Sequence, residues 1–412
     1  MTISKFIKRV KNIVERRNGQ VVAVSVALTI LAGMIYSFYL GNKLRFLPDE
    51  QDYLTIATHL AQQGIYSLDG RTPTAFRPPG YPLILSGLQL VNAGVVAARS
   101  LNYIFLGISI YIFYLILIDH ASPFAATIGA GLVIAYPVLF YTAGTLYPQT
   151  LAALLFLLAL YFLTRQRRSR FDYVAGGLLL GYLALTVPTF IVTVGVFVAW
   201  LFLDANYKLT SGALLVLVLA FGVVGIWTAR NYAAFRSFVF VSTNSGENLL
   251  IGNSENSTPN AGRTLDISRY ESEAQSLDEV ARDKYFRQAA LEYIRNHKAR
   301  VVKLYFLKVL NTFNFRNELV TAEEGSSLRD LVMLLTYGPL LILFLLRLLS
   351  LPRIPPSNFE VLIITLYLAN ALLSAIFFTR IRLRLPFDYL LILNSALMID
   401  RLINFFVAKR YV

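Results

Sequence analysis

The residues from Gln20 to Gly41 run without a single Asp, Glu, Lys or Arg. Similar stretches recur along the chain, and about 20 apolar residues are what a helix needs to cross the hydrocarbon core of a bilayer. Backbone polar groups inside lipid must be satisfied within the chain, so the repeat selects an all-α polytopic membrane protein. Composition agrees: 56% of the residues are hydrophobic and 15% are charged, where a soluble domain carries about 25% charged residues. An ordinary cytosolic enzyme is excluded. With no cysteine there is no disulfide, thiolate metal site or cysteine nucleophile.

After the first span, apolar stretches run from Ala97 to Ile118, Phe124 to Tyr141, Thr150 to Leu163, Tyr173 to Val187, Phe190 to Leu203 and Leu209 to Thr228. Leu331 to Leu346, Val361 to Phe378 and Pro386 to Ile399 follow. The expectation is about ten transmembrane helices, with nine to eleven as the range. The break between the fifth and sixth is placed at Val187-Pro188, because proline ends a helix.

Lys and Arg number 38 against 24 Asp and Glu, a net charge of +14. Basic loops of membrane proteins face the cytoplasm, which accounts for this excess without nucleic acid. Lys5, Lys8, Arg9, Lys11, Arg16 and Arg17 precede the first span, so the N-terminus is expected inside. That span is too long for a cleaved signal peptide, and no small-residue cleavage site follows it. An even number of spans returns Lys409 and Arg410 to the inner side, together with Arg165, Arg167, Arg168, Arg170, Arg347 and Arg353. The expected location is the cytoplasmic membrane, with both termini cytoplasmic.

The organisation that follows is a basic tail (1–19), a first transmembrane helix (20–41), an outer loop (42–82) and a transmembrane bundle (83–229). A second outer loop (230–330), C-terminal transmembrane helices (331–408) and a short inner tail (409–412) complete it. In the first loop, Asp52 to Gln63 has helical spacing and is expected to lie in the interface. In the second, Ser276 to Asn296 reads as a charged amphipathic helix, with Asp278-Glu279 near its start. Ala299 to Phe315 is expected along the outer interface, with Lys303 and Lys308 snorkelling.

Charge is scarce within the spans, with Asp388 near the outer end of the last. Ion-coupled transport would need charges there, so chemistry is expected at the outer boundary. Three features converge on that side. Asp49 and Glu50 follow the first span directly; adjacent carboxylates raise each other's pKa, which suits a general base. The same residues also suit an acidic first helical turn. Arg77-Pro78-Pro79-Gly80-Tyr81-Pro82 is a stiff re-entry toward the membrane, whose arginine can face an anionic headgroup. Arg380, Arg382 and Arg384 alternate on the outer side, against the positive-inside bias. They match either a lipid phosphate or ordinary headgroups. A carboxylate pair alone does not make a metal coordination set, so a divalent metal is neither required nor excluded. No P-loop or dinucleotide motif is present, which disfavours a nucleotide-sugar donor.

Taken in order, these positions resemble the GT-C glycosyltransferases that use lipid-phosphate sugars. The likeness is to bacterial relatives of the dolichyl-phosphate-mannose protein mannosyltransferases and of the aminoarabinose transferase acting on lipid A. The residues that carry it are Asp49-Glu50, then Tyr53, Ala57, Gly64 and Tyr66, and the Arg77 to Pro82 stretch. Trp227-Thr228-Ala229-Arg230-Asn231-Tyr232, Ser242 to Asn253 and Arg382-Leu383-Arg384-Leu385-Pro386 continue it. Two positions depart from the pattern. Tyr147-Pro148-Gln149-Thr150 stands where many relatives have an acidic residue, and Thr186-Val187-Pro188-Thr189 where many have an arginine.

The resemblance implies transfer of a sugar from a polyprenyl-phosphate carrier to a glycan, lipid or protein acceptor. Asp49 would act as base, with Glu50 orienting the acceptor or tuning Asp49. Arg382 and Arg384, with Arg77 and Arg380 as further candidates, would hold the donor phosphate. Tyr53, Tyr81, Asn244 and Asn248 are the candidates for substrate contact. A lipid-linked glycan flippase, a polysaccharide polymerase or ligase, and a non-enzymatic scaffold are the alternatives.

Overall fold

The computed structural model describes residues 3–203, 210–262, 265–316 and 327–408. The side chains of Lys5, Lys8, Arg9, Lys11, Arg16 and Arg17, and residues Lys409 and Arg410, lie outside the described residues. Among the described residues every regular element is a helix.

Helix α1 (Ile3–Leu40) is followed by α2 (Asp49–Gln63) and α3 (Gly80–Gln89). Helix α4 (Val95–His120) packs along α1. The third apolar stretch is two helices, α5 (Pro123–Ile134) and α6 (Pro137–Ala143), bent by 57°. Pro137 explains the bend: the residue before it, Tyr136, is extended at φ −96° and ψ 90°, as steric clash with a following proline requires. Helices α7 (Gln149–Thr164) and α8 (Arg170–Thr186) come next. Val187 is extended, and Pro188 opens a 3-10 turn into α9 (Ile191–Leu203), so the chain breaks at Val187-Pro188 as expected. Helix α10 (Thr210–Phe235) packs closely on α8. A Cβ at Gly177 would lie 3.0 Å from the Val216 carbonyl oxygen, and one at Gly181 would lie 2.7 Å from that of Ala220. Their four-residue spacing lets two backbones touch where lipid offers no hydrophobic drive to association.

The second long loop holds α11 (Ser245–Gly252), α12 (Ser268–Glu273), α13 (Glu279–Asn296) and α14 (Lys298–Thr312). Helices α15 (Ser327–Ser350), α16 (Asn358–Ser374) and α17 (Ile381–Ala408) complete the chain. The core runs through α4, α7, α8 and α17, with Phe113, Phe156, Phe190 and Tyr389 fully enclosed. At the other end of the bundle from the two long loops, Arg347 pairs with Glu360 at 2.9 Å and Glu360 with Arg401 at 2.5 Å. Outward faces stay apolar: Val24, Leu28, Leu31 and Ile35 on α1, and Leu331, Leu335, Ile342 and Leu349 on α15, are exposed. Such rows suit lipid and not water.

Four helices are by themselves long and apolar enough to cross a bilayer: Asn18–Leu40 of α1, α4, Ser211–Phe235 of α10, and α15. The bent pair α5 and α6 makes a fifth if it is one span. Helices α7, α9 and α16 are apolar but shorter, and α17 carries charged residues. Helix length and composition therefore do not settle the count of ten.

One charge inside a span is accounted for, and one reading is corrected. Arg99 falls inside the second apolar stretch, fully buried, and donates to the carbonyl oxygens of Gly41 at 2.6 Å and Lys43 at 2.5 Å. It serves the orphan carbonyls where α1 ends. Lys303 is exposed, but Lys308 does not snorkel. Its ammonium turns inward and donates to the carbonyls of Gly252 at 3.0 Å and Phe377 at 2.8 Å, because three convergent acceptors meet its donors better than the interface would.

Candidate functional site

Helix α2 starts earlier than the hydrophobic spacing suggests, and its first turn carries Asp49, Glu50 and Asp52. Asp49 and Asp52 are three residues apart and share a face. Arg77, delivered by the proline-rich re-entry, bridges them: its Nη2 lies 2.6 Å from Asp49 Oδ1 and 2.6 Å from Asp52 Oδ2. Tyr66 holds this loop by donating to the Arg77 carbonyl at 2.8 Å. Asp49 Oδ2 accepts from Arg382 Nη1 at 2.8 Å, across 333 positions of sequence. The Arg382 guanidinium stacks over the Tyr147 ring, 4.8 Å from its centroid. Burial works against charge on Arg77, but the Tyr53, Asp49 and Asp52 side chains outweigh it and hold its pKa above the ordinary guanidinium value.

Two cavities meet at Arg382, Tyr147 and Phe378. The first, about 210 Å³, is lined by Asp49, Tyr53, Arg77, Asn244 and Asn248. Residues of both departures from the family pattern, Gln149 and Thr186 to Thr189, also line it. The second, about 300 Å³, is more apolar: Val138, Phe315, Met333 and Leu385 line it with Arg380.

Three of the sequence candidates are placed elsewhere. Glu50 is fully buried; its Oε2 accepts the backbone N–H groups of Arg45 at 2.6 Å and Phe46 at 3.0 Å, and its Oε1 that of Leu146 at 2.8 Å. Successive helical residues point about 100° apart, so Asp49 faces the cavity while Glu50 ties the two loops behind it. Arg384 is likewise enclosed. It pairs with Asp388 at 2.8 Å, donates to the carbonyls of Thr312 and Asn314, and covers the Tyr337 ring. Alternate residues share a face in an extended strand, but α17 begins at Ile381 and turns Arg382 and Arg384 to opposite sides. Tyr81 is buried against Asn102, whose Nδ2 donates to its hydroxyl at 3.0 Å.

The segment Ser242 to Asn253 forms one wall of the first cavity and is anchored from outside it. Glu279, first residue of α13, accepts from Thr74 Oγ1 at 2.6 Å, Ala75 N at 2.8 Å and Thr243 Oγ1 at 2.5 Å. One turn on, Asp283 accepts from Gly246 N at 2.6 Å. Arg230 donates to the Thr74 carbonyl at 2.8 Å and stacks on Trp227, which meets Tyr66 edge-on. Glu279 and Arg230 were not site candidates. Arg230 lies in one of the stretches that carry the resemblance, but only the meeting of two distant loops gives it and Glu279 work. Glu279→Ala is expected to weaken this anchorage by about 1.5–3 kcal/mol, the worth of hydrogen bonds to a charged group. Faster limited proteolysis within residues 242–253 would report it. Among the described residues no three His, Cys, Asp or Glu side chains come together to hold a metal ion.

No protein-family model and no curated protein sequence matches the chain. Among solved structures, the oligosaccharyltransferase AglB from Archaeoglobus fulgidus, in complex with an inhibitory peptide and a dolichol-phosphate, aligns with a TM-score of 0.51 and 15% identity. The alignment covers 97% of this chain and 52% of AglB, so this chain spans about half of that protein's length. This chain shares the fold of that protein's matched part. ArnT from Cupriavidus metallidurans bound to undecaprenyl phosphate aligns with a TM-score of 0.44 and 15% identity, over 92% of this chain and 77% of ArnT. At such identity the likeness concerns the fold and not the site.

Proposed function

We propose that the protein is a membrane glycosyltransferase. It moves a sugar from a polyprenyl-phosphate carrier to a glycan, lipid or protein acceptor at the outer face of the cytoplasmic membrane. The observation that carries this reading is Arg382: it lines both the polar cavity and the apolar one, and it holds the carboxylate of Asp49. A carrier with an apolar chain, a phosphate and a sugar needs those three environments in that order. The chain end lies in the second cavity, the phosphate at Arg382 with Arg380 nearby, and the sugar in the first cavity. AglB, which shares the fold, was solved with a dolichol-phosphate.

Without substrate, Asp49 is occupied by two guanidinium groups. An arriving phosphate competes for Arg382, whose side chain is one-third exposed, and frees Asp49 Oδ2. The acceptor oxygen then attacks the anomeric carbon from the face opposite the phosphate and gives its proton to Asp49. The bond from that carbon to the phosphate oxygen breaks, its electron pair leaves with the phosphate, and Arg382 carries the developing charge. A single in-line displacement inverts the anomeric centre.

The test is full-length protein in lipid nanodiscs with undecaprenyl-phosphate hexoses carrying a radiolabelled sugar. Transfer of label from the lipid to an acceptor is the expected result. Movement of the intact lipid-linked sugar across a vesicle bilayer, without release of label, would overturn the proposal in favour of a flippase.

A further inference from the structure

Tyr147 lines both cavities, as Arg382 does, and its loop between α6 and α7 is tightly held. Asn102 Nδ2 donates to the Thr145 carbonyl at 2.7 Å, Leu146 N donates to Glu50 Oε1 at 2.8 Å, and Pro148 restricts the chain that follows. The ring is packed as well, with the Phe46 ring 5.7 Å away and the Arg382 guanidinium 4.8 Å from its centroid. The hydroxyl is left over. It has no hydrogen-bond partner among the described residues, and it is not one of the enclosed atoms, so it keeps surface open to a ligand. Arg382, Asp49 and Glu50 are the charged groups close enough to act on it, which places it at the site. Burial, partly offset by Arg382, raises its pKa above the ordinary phenol value, so it stays a donor.

We infer that Tyr147 is a second donor to the carrier's phosphate, its hydroxyl bonding a non-bridging oxygen beside Arg382. This rests on the glycosyltransferase reading and adds to it a residue that meets the phosphate. An anion at the junction of the two cavities offers charged acceptor oxygens, and a protonated hydroxyl with nothing in the protein to donate to is matched to them. The ring has its own part. When the phosphate draws Arg382 off Asp49, the Tyr147 face keeps the guanidinium at the junction, so cation and hydroxyl meet the same anion. Glu50 positions both sides of the site: it follows Asp49 in the first turn of α2, and its Oε1 holds the peptide before Tyr147. During transfer the phosphate takes the electron pair of the breaking bond, and the hydroxyl joins Arg382 in stabilising that charge without giving up its proton.

The experiment measures binding of undecaprenyl phosphate and of undecaprenol, which has the chain without the phosphate, to full-length protein in nanodiscs. Tyr147→Phe keeps the ring against Arg382 and Phe46 and removes the hydroxyl alone. It is expected to bind undecaprenyl phosphate about ten- to hundredfold more weakly, the worth of a hydrogen bond to a charged group. Undecaprenol binding and melting temperature stay as in wild type. An undecaprenyl-phosphate hexose that wild type binds loses the same factor, and Tyr147→Leu, which removes the stack as well, weakens phosphate binding further. Three results overturn the inference and leave the glycosyltransferase reading in place: unchanged phosphate binding by Tyr147→Phe, an equal loss with undecaprenol, or a loss confined to the sugar-loaded lipid, which would give the hydroxyl to the sugar. Wild type that binds undecaprenyl phosphate no better than undecaprenol overturns both.

Discussion

Asp49→Asn is expected to lower the transfer rate about 10²- to 10⁴-fold, the usual contribution of a positioned general base. The carboxamide keeps the shape of the side chain, but its oxygen can accept from only one of Arg77 and Arg382, which bond different carboxylate oxygens in the wild type, and it cannot take a proton from the acceptor. Donor binding should hold or tighten, because two arginines that share one carboxylate in the wild type lose a competitor for the phosphate. The measurement is single-turnover transfer beside equilibrium binding of the lipid donor. A wild-type rate in the variant would remove the base assignment and leave Asp49 as a clamp on two arginines.

Arg382→Ala is expected to cost about 10²- to 10³-fold in rate, as loss of a preorganised group at a developing charge does. It should weaken binding of bare undecaprenyl phosphate as well. Arg382→Lys should recover only part of either, since an ammonium lacks the planar fork. Arg384→Ala separates the two arginines. It leaves Asp388 buried without its partner, so it should destabilise the fold by about 3–5 kcal/mol and lower the melting temperature. Its residual folded fraction should bind the lipid phosphate normally. If Arg384→Ala abolished phosphate binding in protein of unchanged melting temperature, the roles given to the two arginines would have to be exchanged.

These two arginines mark the limit of what local sequence shows. Apolar stretches report helices because burial in lipid or protein acts on every residue of a span, and Pro188 reports a break because its ring removes a donor. The acidic turn at Asp49, the re-entry at Arg77 and the arginines before Pro386 were all visible as residues of the right chemistry on one side of the membrane. Which of them touch was not visible. Asp49 and Glu50 are neighbours in sequence, yet one faces the cavity and the other bonds backbone N–H groups behind it. Arg382 and Arg384 look equivalent until the helix start at Ile381 sets their directions.

The amino-acid sequence alone determined the class of the molecule and the helical stretches, and its loop charges carry the expectation of chemistry on the outer side. Hydrophobic length and loop charge are sums over many residues and need no partner to be read. Only the tertiary structure decided the site: the bridging of Asp49 by Arg77 and Arg382, the wall that Arg382 makes between two cavities, and the anchoring of residues 242–253 by Glu279. Each of these depends on a few ångströms between residues far apart in the chain, and hydrogen bonds and ion pairs fall away over that distance.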